Sequence, residues 1–107
     1  MSDYQIILNT CPTQDVAQQL AEVLIKNRLA ACVNIVPQVY SIYEWQDKIE
    51  QESEVLLLIK TRAELYEAIE TLVTKLHPYE VPELVTVPIV AGLSAYFSWI
   101  NEVTQPK

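Results

Sequence analysis

Residues 32–45, CVNIVPQVYSIYEW, are β-branched or aromatic at most positions and are interrupted only by Pro37, and this run constrains the fold more than any other stretch. A strand from Val33 to Trp45 would reach roughly 40 Å at about 3.3 Å per residue. A chain of 107 residues folds into a body with a radius of gyration of only ~13 Å. Such a strand has to project beyond its own domain. Pro37 cannot donate to a ladder, so it is expected at a bulge or bend. Gln46, Asp47 and Lys48 make a turn, after which residues 52–60 alternate Glu54, Leu56, Leu58 and Lys60 against Val55, Leu57 and Ile59. The two runs form a hairpin with Tyr40, Ile42, Tyr43 and Trp45 near its tip. A second copy of the chain is the simplest cover for those groups, so an oligomer with Tyr40, Tyr43 and Trp45 at its interface is expected.

The rest of the chain supplies a sheet and helices to carry that hairpin. Residues 4–10 read as a first strand stopped by Cys11 and Pro12. Thr13 is a good N-cap, and Val16, Leu20 and Leu24 with Ala17, Ala21 and Ile25 repeat at helical spacing up to Asn27. Thr61 and Glu64 fit a capping box before Leu65, Ile69, Leu72, Val73 and Leu76, a second helix ending at His77 and Pro78. Residues 84–90 read as a strand with an irregular or free edge, because Pro82 and Pro88 punctuate it, and Gly92 and Ser94 introduce a third helix. The order β-α-β-β-α-β plus a C-terminal helix is the α+β, ferredoxin-like split βαβ pattern, one domain over residues 1–107, with two helices on one sheet face and the other face open.

Chemistry is sparse. Fourteen acidic against seven basic residues give a net charge of -7, which opposes binding to a phosphate backbone, so no nucleic-acid partner is expected. No apolar run reaches the roughly 20 residues that span a bilayer, and the first residues carry no basic and apolar leader, so no membrane partner and a cytoplasmic location are expected. The chain has no P-loop, GxGxxG or GxSxG, and its single histidine gives no obvious acyl-transfer triad, so no catalytic residues are assigned and no enzyme is expected. Glu50, Glu52 and Glu54 read as a solvated strand edge. His77 stands where the second helix stops, suited to capping carbonyls or binding a metal. In the split topology the first and second strands run the same way, so Cys11 and Cys32 fall at opposite ends of the sheet as free, reduced thiols. Cys11, in a turn, is expected to react before Cys32, a small apolar residue at the head of a strand. The same topology brings Cys11 and His77 to one end, a thiolate and imidazole pair suited to copper or zinc, though two ligands do not complete a site and water, a carboxylate or a neighbouring subunit would be needed.

Five motifs together resemble the CutA family of divalent-cation tolerance proteins: LAACVNIVP at residues 29–37, S-x-Y-x-W from Ser41 to Trp45, IKT from Ile59 to Thr61, HPYEVPE at residues 77–83, and the pair Tyr96 and Trp99. The resemblance covers nearly the whole chain. It implies a ferredoxin-like subunit assembled as a homotrimer similar to the PII signalling proteins, and a non-enzymatic role in tolerance of divalent metal such as copper. A bacterial copper site of that family has a cysteine near the end of the first strand and two adjacent histidines at the end of the second helix. Here those positions hold Asn9 and Leu76-His77, so His77 is retained and Cys11 is the substitute ligand, implying weak binding of copper or another divalent metal and no organic cofactor. Asp47 stands where the family often has Gly, which predicts modest strain in the turn. Two alternatives accompany the metal reading. One is a PII-like signalling trimer with a small-molecule ligand in an inter-subunit cleft lined by Trp45, Lys60, Tyr79 and Glu83. The other is a structural or anchoring trimer without a ligand.

Overall fold

The computed structural model describes residues 3–107, leaving the first two positions of the expected 1–107 domain outside the described residues. Its order is β1 (Tyr4–Cys11), α1 (Gln14–Lys26), β2 (Cys32–Trp45), β3 (Lys48–Arg62), α2 (Tyr66–Leu76), β4 (Val85–Pro88) and α3 (Ser94–Val103), with a 3-10 turn at Ala63–Leu65. Among the described residues the strands make one antiparallel sheet in the order β2-β3-β1-β4. This is the mixed α+β, split βαβ arrangement expected from the sequence.

Period-two alternation sorts the sheet into two unlike faces. Ile7, Asn9 and Cys11 of β1 lie opposite Ile59, Leu57 and Val55 of β3, and all six are buried. Ala17, Leu20 and Leu24 of α1 and Ile69 and Val73 of α2 complete that core. Burial of each large aliphatic side chain contributes about 1.5–3 kcal/mol. The opposite face carries Ile6 and Leu8 beside Val87 and Val85 of β4, with Leu58 and Leu56 across β3. Neither α1 nor α2 covers it, and Val85 and Val87 are exposed.

Local chemistry sets the helix ends. The Thr13 hydroxyl accepts from the Val16 N–H at 3.2 Å, capping α1. At its other end Arg28 takes a left-handed φ of 58°, and the N–H groups of Leu29 and Arg28 bond the carbonyls of Leu24 and Ile25, the Schellman pattern. The expected capping box at Thr61 and Glu64 does not form. β3 runs on to Arg62, Tyr4 pairs with Arg62, and the Thr61 hydroxyl donates to the Leu29 carbonyl instead. Before α3, Gly92 lies so close to Phe97 that a Cβ would meet the ring at 2.6 Å, which only glycine avoids.

The hairpin overhangs as expected, giving an overall shape of 45 × 26 × 22 Å. Its ladder is longer than the alternation suggested, since β3 starts at Lys48, directly opposite Trp45. Pro37 falls in the register shift between Val36 and Val39, the expected bulge, with Gln38 at a φ of 62°. Gln46 and Asp47 form the two-residue tip with φ values of 51° and 65°, a geometry that favours glycine. β4 is shorter than expected and forms one edge of the sheet.

Candidate functional site

The bulge and the strand alternation decide which hairpin side chains face together. Ser41, Tyr43 and Trp45 of β2 lie opposite Glu52, Glu50 and Lys48 of β3. On that face Glu54, Glu52 and Glu50 follow one another at two-residue steps, about 7 Å apart. The segment after α2 folds back to meet them because Pro78 cannot continue the helix and because three ties hold the loop. The Asn9 amide donates to the Glu83 carbonyl at 2.8 Å, the Tyr79 hydroxyl donates to Glu54 at 2.7 Å, and the His77 ring lies against the Thr10 carbonyl at 2.8 Å. Hairpin and loop then enclose an open cleft of about 850 Å³. Five glutamates (50, 52, 54, 80 and 83) and three aromatic rings (Tyr43, Trp45 and Tyr79) line it, and among the described residues no Lys, Arg or His does.

This charge is felt by the phenols. Tyr43 is pushed up to about 12, first by its hydrogen bond to Glu52 and then by burial and the neighbouring carboxylates. Tyr79 is raised further, by burial first and then by its hydrogen bond to Glu54 and the charges of Glu54 and Glu52. A phenolate is disfavoured where the potential is negative, and a cation is favoured there for the same reason.

Of the residues expected at an inter-subunit cleft, Trp45, Tyr79 and Glu83 lie on this cleft within one chain. Lys60 lies away from it: it pairs with Cys32 toward the far end of β3, six residues from Glu54, and its ammonium bonds the Asn34 side chain. Glu50, Glu52 and Glu54 are a wall of the cleft and not simply a solvated edge, and Glu54 is only 7% exposed. Tyr40, Tyr43 and Trp45 are exposed on the chain.

Cys11 and His77 share one end of the sheet but do not fit a metal pair. The Tyr79 N–H donates to His77 Nδ1 at 3.1 Å while Nε2 meets the Thr10 carbonyl, so both ring nitrogens are engaged. The Cys11 thiol ends β1, is fully buried and donates to the Asn9 side-chain oxygen at 3.3 Å. Among the described residues no three His, Cys, Asp or Glu side chains gather closely enough to hold a metal ion. Leu76, at the second histidine position of the resemblance, is exposed.

The burial of the two thiols argues for the opposite order of reactivity. Cys11 is no turn residue, and burial, aided by the Glu54 charge, pushes its thiol up to about 11. Cys32 is half-buried, hydrogen-bonded to the Tyr96 hydroxyl, and more accessible. Alkylation of the native protein should label Cys32 first and reach Cys11 only on unfolding, as intact mass will show. The native state holds the Cys11 proton to higher pH than the unfolded chain does. Its contribution is complete below pH 9, the unfolded value, and is lost as pH rises toward 11. Urea midpoints should therefore fall across that window, and Cys11→Ala should flatten the fall.

Comparison with known proteins then settles the family. Residues 5–103 match the family model described as "CutA1 divalent ion tolerance protein". The chain belongs to the CutA family. The divalent-cation tolerance protein CutA of Thermus thermophilus is 44% identical over 100 residues, covering 94% of this chain and 97% of its own. Mouse Protein CutA is 47% identical over 96 residues, 90% of this chain. This chain spans about half the length of that mammalian relative, 54%. Among solved structures, CutA from Xylella fastidiosa superposes with a TM-score of 0.94 at 43% identity, covering 97% of this chain and 100% of that one. That structure and this chain therefore share one fold over nearly the full length of both.

Proposed function

We propose that this CutA chain is a non-enzymatic, homotrimeric divalent-cation tolerance protein of the cytoplasm, and that the acidic cleft, not the His77 end, is where cations gather. The observation that carries this reading is a cleft lined by five glutamates with no basic side chain among the described residues that line it. Carboxylate oxygens are hard donors suited to magnesium, calcium or manganese, whereas copper favours imidazole and thiolate. Spread along β3 and the facing loop without three converging, they give loose, salt-sensitive binding. The open apolar face and the projecting hairpin support the trimer, and two well-separated free thiols suit a reducing compartment. The test is a titration with Mn²⁺ followed by electron paramagnetic resonance. Glu50→Gln with Glu52→Gln is expected to weaken uptake several-fold and to reduce its dependence on salt; uptake unchanged in that variant would overturn the assignment.

A second reading takes the same cleft as a small-molecule site, favoured by the rings of Tyr43, Trp45 and Tyr79 on walls contributed by two segments. A thermal-shift screen of metabolites beside metals separates the two, because only a ligand of the native state raises the melting temperature.

A further inference from the structure

His77 is 7% exposed, stands at the C-terminal end of α2, and has a hydrogen-bond partner at each ring nitrogen. A backbone N–H can only donate, so Nδ1, which faces the Tyr79 N–H, carries no proton. A carbonyl oxygen can only accept, so Nε2, 2.8 Å from the Thr10 carbonyl, carries one. The ring is fixed as the neutral Nε2–H tautomer, and it sits beside the Tyr79 ring, centroids 4.8 Å apart with the planes tilted by 52°. We infer that His77 is a positioning residue that latches the cleft wall to β1 and is for that reason unavailable as a metal ligand. Coordination through Nδ1 would strand the partly buried Tyr79 N–H, and coordination through Nε2 would remove the proton that satisfies the Thr10 carbonyl at that contact. What the latch holds is functional surface. Tyr79, two residues on, presents its hydroxyl to Glu54, and Asn9 fixes the carbonyl of Glu83 at the other end of the loop. Without His77 the first of these ties goes and the second spans a longer free segment, so the glutamates and Tyr79 no longer share one fixed cleft.

The consequence for cations rests on the reading of the cleft given above, whereas the latch is tested without any ligand. Two-bond ¹H–¹⁵N correlation spectra of the labelled protein should show the neutral Nε2–H pattern, unchanged when Zn²⁺ is added. Movement of the His77 nitrogens to a metal-bound pattern overturns the inference, and this measurement needs no variant. Hydrogen exchange supplies the second arm. His77→Ala should speed exchange of the Tyr79 amide at least tenfold relative to amides of β1 and α1, and His77→Asn, whose side-chain oxygen can accept from the same N–H, should restore protection. Exchange at Tyr79 rising no more than in β1 makes His77 a packing residue only, and the inference fails. In the same variants Mn²⁺ uptake should fall several-fold with Ala and recover with Asn. Wild-type protein that takes up no Mn²⁺ overturns the cleft reading, while tautomer and exchange still decide the latch.

Discussion

Val87→Asp is expected to leave the subunit folded and to abolish its assembly. Val87 is 44% exposed on the isolated chain and lies on β4, at the sheet edge and on the face that α1 and α2 leave open. A carboxylate there stays hydrated in a monomer and costs little. In a trimer that buries this face, the same carboxylate would lose its water without gaining a partner, a cost of several kcal/mol at each of three symmetry-related contacts. Each 1.4 kcal/mol is tenfold in association, so micromolar protein should sediment as a monomer. Trp45→Ala tests the hairpin end of the same assembly. The indole is 58% exposed on the chain, so covering it removes on the order of 100–150 Å² from water, about 3 kcal/mol per contact. The wild type should sediment as a trimer with a melting temperature that rises with protein concentration, and both variants should lose that dependence. A wild type that sediments as a monomer, or a trimeric Val87→Asp, would remove the assembly.

Where sequence reading succeeded, one physical signal dominated. β2 was legible from end to end because β-branched and aromatic residues are dense there, and Pro37 marked its own bulge. β3 began earlier than its pattern because residues 48–51 are polar apart from Ile49, yet a ladder needs only backbone groups and a partner, and β2 supplied one. The capping box failed because Thr61 and Glu64 carry a local signal while the pairing of Tyr4 with Arg62 is a tertiary one, and the longer ladder won. Cys11 was misplaced by giving Pro12 too much weight: a proline can follow a strand directly, and the alternation Ile7, Asn9, Cys11 already put the thiol on the core face.

The cleft was half legible for a different reason. HPYEVPE marked Tyr79 and Glu83 as unusual, and Trp45 stood out by composition, but nothing local shows that the loop returns to β3. That return turns Glu50, Glu52 and Glu54 from an edge into a wall. Lys60 shares their strand face, and only distance along β3, about 20 Å from Glu54, removes it from the cleft.

Asn9→Asp is expected to destabilise the fold more than Asn9→Ala at neutral pH, and less so as the medium is acidified. Asn9 is fully buried; its amide donates to the Glu83 carbonyl and its side-chain oxygen accepts from Cys11. Alanine leaves that carbonyl unpaired and opens a small void, at about 1–3 kcal/mol. Aspartate fills the space but sets one oxygen against another, and it places a charge in the core close to the glutamates of the cleft. An unpaired buried charge costs about 3–5 kcal/mol. A proton on the new carboxyl would restore the donor to Glu83, so the folded variant holds that proton well above the ordinary carboxylate range, while the unfolded chain releases it near 3.9. Between those two values the native state binds more protons than the unfolded state, and stability therefore falls as pH rises through the window and returns as pH drops toward 4. Urea midpoints of the two variants, measured side by side from pH 7.5 to 4.5, isolate this effect from the titration that both share. The Asp variant should start well below the Ala variant and close the gap on acidification. A gap that does not change with pH would mean that residue 9 does not meet the Glu83 carbonyl, and the tie that closes the inner end of the cleft would be lost with it.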